Sequence, residues 1–133
     1  MPLARLQRAR AIRGVPLFAG CSRREIANIA GIAAEKEFAP GEELIREGDT
    51  GSQFYVVLDG DAEVRRGGQA INARGGGDFF GEIALVAHSP RTATVAAKTR
   101  VRALVIDGRD FRALLGRQPD LQLKVLEALA ERV

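Results

Sequence analysis

Glu82 and Arg91 stand nine positions apart in the stretch "FFGEIALVAHSPRTATV", Phe79 to Val95. By type they are the residues best suited to chemistry. Arginine presents a planar fork of donors that matches phosphate or carboxylate oxygens. An ionised glutamate only accepts, which suits a donor such as a sugar hydroxyl. Gly81 lets the backbone approach a ligand closely. "EIALV" has room for about one helical turn, whose unpaired N–H groups favour an anion. Pro90 fixes the approach to Arg91, which is expected to start a strand, and Thr92 adds a hydroxyl donor. A ligand with both a phosphate and a ribose hydroxyl would satisfy Glu82 and Arg91 together. The same two residues could instead pair with each other at the surface, which stabilises by only about 0–1 kcal/mol. Spacing alone leaves both readings open.

Other chemistry is sparse. A metal-dependent enzyme on a β scaffold needs several histidines and carboxylates converging on the ion. This chain has one histidine, His88, in the loop between the two loud residues. No nucleophile–base pair is evident, so no turnover is expected. The single cysteine, Cys21, cannot form an internal disulfide and reads as a small apolar core residue.

The elements that must position Glu82 and Arg91 are legible from periodicity. "PLARLQRARAI" spaces Leu3, Leu6 and Ile12 among arginines as a short basic helix, broken by Gly14 and Pro16. "SRREIANIAGI" opens a second helix with Ser22 and Glu25 as a capping box, Ile26, Ile29 and Ala30 on its apolar side, and Gly31 near its end. Ten of the 15 glycines then fall between Gly41 and Gly81, punctuating short strand-like runs. That texture predicts a β-barrel or double-sheet jelly roll. "LDGDAEV" reads as a hairpin around Asp59-Gly60. "GGG" at 75–77 marks a flexible or closely approached loop. Two further strands, "TATVAAK" and "VRALVI", place Val95, Val101, Leu104 and Ile106 in the core. After them Asp107 and Asp110 are candidate caps of a helix carrying Phe111, Leu114 and Leu115. A last helix begins at Pro119. Its Leu121, Leu123, Val125, Leu126 and Leu129 spread around most of the circumference, so it must be covered on more than one face or must cover something.

The 133 residues suffice for one domain, with residues 1–14 as a basic helix or linker and 15–133 as the folded body. Six arginines (5, 8, 10, 13, 23 and 24) precede the first acid, Glu25, and the remaining 14 basic residues face all 17 acids. The pI near 9.6 therefore belongs to the N-terminal segment, while residues 25–133 carry a formal −3. Such a basic end is usually a solvated helix face, and less often meets an acidic lipid surface or a partner. No apolar run approaches bilayer length and no signal peptide is visible, so the expected compartment is the cytoplasm.

"FGEIALVAHSPRTATV" resembles the phosphate-binding cassette of the cyclic-nucleotide-binding domain family. The pattern F-G-E, an aliphatic, A-L, then P-R, a small hydroxyl residue, A and T-V is met at nearly every position, with the same gap from Glu82 to Arg91. "VPLFAGCS" is similar to the family's entry into its first helices, "FAPGEELIREGDTGSQFYVVLDGDAEV" to its first strands, and "FRALLGRQPDLQLKVLEALAERV" to its C-terminal helix pair. The likeness covers roughly residues 15–133 and is greatest to the cytoplasmic domain of bacterial cyclic-nucleotide-regulated potassium channels. One departure is the connection "RRGGQAINARGGG", longer and more polar than in the channel domain.

The resemblance implies a mainly β fold, a jelly roll with N-terminal helices and a C-terminal helix pair. It implies that Arg91 pairs with the equatorial oxygens of a cyclic phosphate and that Glu82 accepts from the ribose 2′-OH. Backbone groups at Gly81, Ile83 and Ala84 would complete the cradle. Thr92 would add a contact near phosphate and base, Val64 an apolar wall of the base pocket, and Arg132 a lid residue near the base. The implied function is a regulatory module sensing a cyclic nucleotide, with no other cofactor and with an effector domain or channel as partner. Thr92 is compatible with cGMP; the apolar remainder of the pocket favours cAMP. The alternative is a degenerate member that keeps the fold only for protein contacts. The C-terminal helix leaves no helix-turn-helix reader in view, so no nucleic-acid contact is expected.

Overall fold

The computed structural model describes residues 5–81 and 90–130. Among these residues four helices flank eight strands. The helices are α1 (Arg5–Arg13), α2 (Arg23–Gly31), α3 (Gly108–Arg117) and α4 (Pro119–Ala130), with a 3-10 turn over Pro16–Phe18. The strands are β1 (Ala33–Phe38), β2 (Glu43–Ile45), β3 (Gln53–Asp59), β4 (Ala62–Arg66), β5 (Gln69–Arg74), β6 (Phe79–Phe80), β7 (Thr94–Ala97) and β8 (Val101–Asp107). They form two antiparallel sheets ordered β1-β8-β3-β6 and β2-β7-β4-β5, the strand order of a jelly roll.

The apolar runs "FYVV" and "ALVI" lie on the central strands β3 and β8, which are buried on both faces. Alternation sends Tyr55, Val57, Ala103 and Val105 into the space between the sheets. Phe54, Val56, Leu104 and Ile106 face the other way, against the helices. There the Phe18 ring meets Phe54 and Phe111 at centroid distances of 6.1 and 5.8 Å. Leu121 and Val125 of α4 join the same core.

Local signals set the helix ends. The Ser22 hydroxyl accepts from the Glu25 N–H at 3.1 Å, and the Glu25 carboxylate accepts from the Ser22 N–H at 2.7 Å, closing the capping box. The Asp107 carboxylate accepts from the Arg109 N–H and caps α3, with Asp110 in the first turn. On α4 only one face is covered, since Leu123 and Leu126 are 58% and 59% exposed.

Asp59-Gly60 is not a hairpin turn. β3 and β4 lie in different sheets, and Gly60 turns the corner between them at φ +92°. A Cβ there would sit 2.0 Å from the Arg100 carbonyl oxygen, so glycine serves close approach as well as positive φ. The two-residue hairpin joins β4 to β5 instead, through Gly67 and Gly68 at φ +59° and +82°.

Glu25 also ties α4 to the helical layer, accepting from Lys124 Nζ at 2.6 Å. The Lys124 hydrogen bond and the Ser22 contacts hold the Glu25 carboxyl below its ordinary pKa. A depressed carboxylate pKa contributes stability that is present above the unfolded value and lost as pH falls through the folded one. Hydrogen exchange in α4 is therefore expected to quicken relative to β8 below about pH 4. Lys124→Met should speed it at neutral pH and remove most of that acid dependence. An unchanged α4 profile in the variant would show that the pair does not hold the helix.

Candidate functional site

Arg91 lies ahead of a strand, not at its start. β7 begins at Thr94, where pairing with Arg65 of β4 starts, and Arg91 belongs to the turn before it. Its N–H donates to the Asp49 carbonyl and its own carbonyl accepts from the Gly48 N–H, both at 2.8 Å. With the bridge from Thr50 to Pro90, these bonds fix the Arg91 backbone against the Arg46–Gly51 turn.

The side chain is directed inward. Arg91 Nη2 donates to the Gln53 carbonyl at 2.7 Å. A Cβ on Gly51 would lie 2.6 Å from Nε, and one on Gly81 would lie 3.0 Å from Nη1. The guanidinium thus passes between two positions that only glycine can occupy without displacing it. Gly81 also has φ +85°, which favours glycine independently. Its place is set by Phe80, whose ring stacks on Tyr55 with centroids 4.9 Å apart, while the Tyr55 hydroxyl donates to the Leu44 carbonyl at 2.9 Å.

Burial pushes the Arg91 guanidinium pKa down from its ordinary value, with the Tyr55 phenol acting in the opposite direction. Among the described residues no carboxylate pairs with Arg91. A half-withdrawn cation of this kind gains most from an anion with two oxygens to offer. The adjoining cavity is about 180 Å³ and is lined by Leu44, Ile45, Arg46, Asp49, Thr50, Gly51, Gln53 and Arg91. Two clefts on the helical side are larger, at about 520 and 550 Å³, but neither is lined by Arg91. Of these three, the smaller one adjoins the guanidinium that Gly51 and the Gln53 carbonyl orient.

Of the sequence candidates, Gly81 and Arg91 are brought together. Thr92 follows on the exposed side of the turn, and its carbonyl accepts from Arg66 Nε at 3.1 Å. Val64 sits half-buried on β4, opposite Val95 of β7, and packs on the core between the sheets. Glu82, Ile83, Ala84 and Arg132 lie outside the described residues, as does His88. Sequence reasoning missed Gly51 and the Gln53 carbonyl, which orient the guanidinium. The only signal was Gly51 itself, which reads as turn punctuation until the fold places it against Arg91. No group of three His, Cys, Asp or Glu among the described residues could hold a metal ion.

The family model described as cyclic nucleotide-binding domain matches residues 35–118. A Rhodopseudomonas palustris protein named as a potassium channel is 36% identical over 121 residues, covering 89% of this chain and 29% of the relative. A cAMP-dependent protein kinase regulatory subunit of Mycosarcoma maydis is 40% identical over 111 residues, covering 77% of this chain and 21% of the relative. Among solved structures, the N-terminal domain of a transcriptional regulator from Streptomyces coelicolor superposes with TM-score 0.85 at 31% identity, covering 92% of this chain and 91% of that one. The regulatory domain of Toxoplasma gondii PKA, crystallised with cAMP, gives TM-score 0.80 at 25% identity, covering 96% and 49%.

This chain belongs to the cyclic nucleotide-binding domain family. The family model is named for cyclic-nucleotide binding, and the M. maydis relative is named as a regulatory subunit. It spans less than a third of the curated relatives it matches. No helix among the described residues is long and apolar enough to cross a membrane.

Proposed function

We propose that the chain binds one cyclic nucleotide, cAMP in preference to cGMP, and relays occupancy to an effector. The carrying observation is the Arg91 guanidinium, held between Gly51 and Gly81 with no carboxylate partner among the described residues. In this reading Arg91 takes the equatorial phosphate oxygens and Glu82 accepts from the ribose 2′-OH. Backbone groups of Gly81, Ile83 and Ala84 close the cradle, Thr92 lies at the phosphate and base, and Val64 walls the base. The cAMP in the T. gondii neighbour and the naming of the kinase relatives support the choice of nucleotide. The effector is a domain or channel in cis or a partner in trans, with the chain on the cytoplasmic side.

α4 supplies the means of relay. Leu121 and Val125 hold one face in the core while Leu123 and Leu126 stay exposed on the rest. In this reading a helix held by one face shifts between two docked states, and ligand changes their populations only by binding one of them better. In the proposed closed state α4 covers the base, with Arg132 beside it. Amides 121–130 are then expected to gain exchange protection on nucleotide addition while those around Val56 and Val95 change far less. Equal protection with and without ligand would leave α4 a structural cap.

Calorimetric titration with cAMP and cGMP side by side tests the ligand. Saturable binding of cAMP at lower concentration supports the reading, tighter cGMP binding reverses the preference, and no heat from either favours a protein-interaction domain. Glu82→Ala should weaken binding, and 2′-deoxy-cAMP should lose a similar amount against the parent but little more against the variant. Additive losses would remove Glu82 from the 2′-OH.

A further inference from the structure

Six arginines come before the first acid of the chain. Arg8 has a structural task, donating from α1 to the Ala30 and Ala33 carbonyls at 3.4 and 2.9 Å, where α2 ends. Arg10, Arg13, Arg23 and Arg24 are exposed and form no ion pair among the described residues. On α1, Leu6, Arg10 and Arg13 fall at i, i+4 and i+7, one stripe facing away from the fully buried Ile12. Leu6 is 73% exposed. Ile12 near the end of α1 packs in the same core cluster as Cys21 and Ile26, which places the end of α1 beside the start of α2.

Arg23 and Arg24 begin that start. They are the first two residues of α2, after the Ser22 cap, where the helix dipole favours anions and disfavours cations. Glu25 in the same turn offsets part of this placement, but its carboxylate already accepts from the Ser22 N–H and from Lys124. An external anionic surface would make these two exposed charges favourable. A solvent-exposed leucine between arginines narrows the surface further. A nucleic acid backbone gains nothing from a single apolar side chain, whereas a lipid interface takes up the leucine while arginine stems reach to the headgroups.

We propose that the outer face of α1 and the first turn of α2 dock on an anionic lipid bilayer, with Leu6 entering the interface and Arg10, Arg13, Arg23 and Arg24 facing the headgroup anions. One leucine and four charges give weak, reversible attachment that fades as salt shortens the range of the field.

Sedimentation of the 133-residue chain with phosphatidylcholine vesicles, with and without phosphatidylserine, tests this. Binding is expected only with phosphatidylserine and should decline as salt rises. Arg10→Glu combined with Arg13→Glu should weaken it about 25-fold or more, at about fivefold per arginine removed. Leu6→Gln should cost about fivefold. Arg23→Gln with Arg24→Gln should weaken vesicle binding about 25-fold while raising the melting temperature, a pairing that a damaged fold would not produce. No binding, equal binding to both vesicles, or Leu6→Gln binding as well as the parent would overturn the proposal. So would equal affinity for double-stranded DNA or polyglutamate, which would mark a non-lipid polyanion site.

Discussion

Alanine at Arg91 is expected to leave a folded domain that has lost most of its nucleotide affinity. The guanidinium is half-buried and among the described residues it donates to the Gln53 carbonyl, so its loss removes little that the fold needs. The ligand, by contrast, would keep a phosphate charge in a partly desolvated cavity with nothing opposite it. Truncating one partner of such a pair costs about 2–5 kcal/mol, or from roughly thirtyfold to several thousandfold in affinity. Arg91→Lys should recover only part of this, because an ammonium cannot offer the two parallel donors of the fork. Thermal melting beside calorimetry distinguishes the outcomes. A folded Arg91→Ala protein that binds within a few-fold of the parent would remove Arg91 from the phosphate.

Gly60→Ala is expected to cost far more stability than alanine at an unencumbered glycine. The residue adopts φ +92°, a conformation that costs an L-residue about 1–2 kcal/mol. The new methyl would also lie 2.0 Å from the Arg100 carbonyl oxygen, which is backbone and cannot swing aside. Relieving that overlap means shifting the β7–β8 turn, a strain of about 1–3 kcal/mol. Together these predict about 3 kcal/mol, or a melting temperature lower by roughly 10 °C. Gly116→Ala is the control. It lies inside α3 with nothing within 4 Å of its added methyl, so it should be neutral or stabilising. Equal melting of the two variants would show that the corner is looser than described.

What the sequence discloses depends on the range of the interaction. The Ser22–Glu25 capping box and the Asp107 cap are contacts within three residues, and local pattern was enough to place both. The jelly roll was legible because glycine spacing and apolar runs report turns and buried strands. Asp59-Gly60 was misread because an Asp-Gly pair looks alike whether it returns a strand into its own sheet or carries it to another. Only the register of β3 with β8 and of β4 with β7 decides that. Arg91 stood out by type, but its position ahead of β7 follows from its pairing with the Gly48–Asp49 turn, some forty residues earlier. Gly51 was invisible for the same reason. Of the two expectations for so apolar a helix, cover on more than one face or a surface that covers something, the exposure of Leu123 and Leu126 on α4 leaves the second open.

The most direct measurement is the structure of this chain crystallised with cAMP. The account predicts the nucleotide at the guanidinium held between Gly51 and Gly81, with Arg91 within hydrogen-bond distance of the equatorial phosphate oxygens and the Glu82 carboxylate at the ribose 2′-OH. A nucleotide bound elsewhere, or a phosphate in the cavity that Arg91 does not touch, would contradict it.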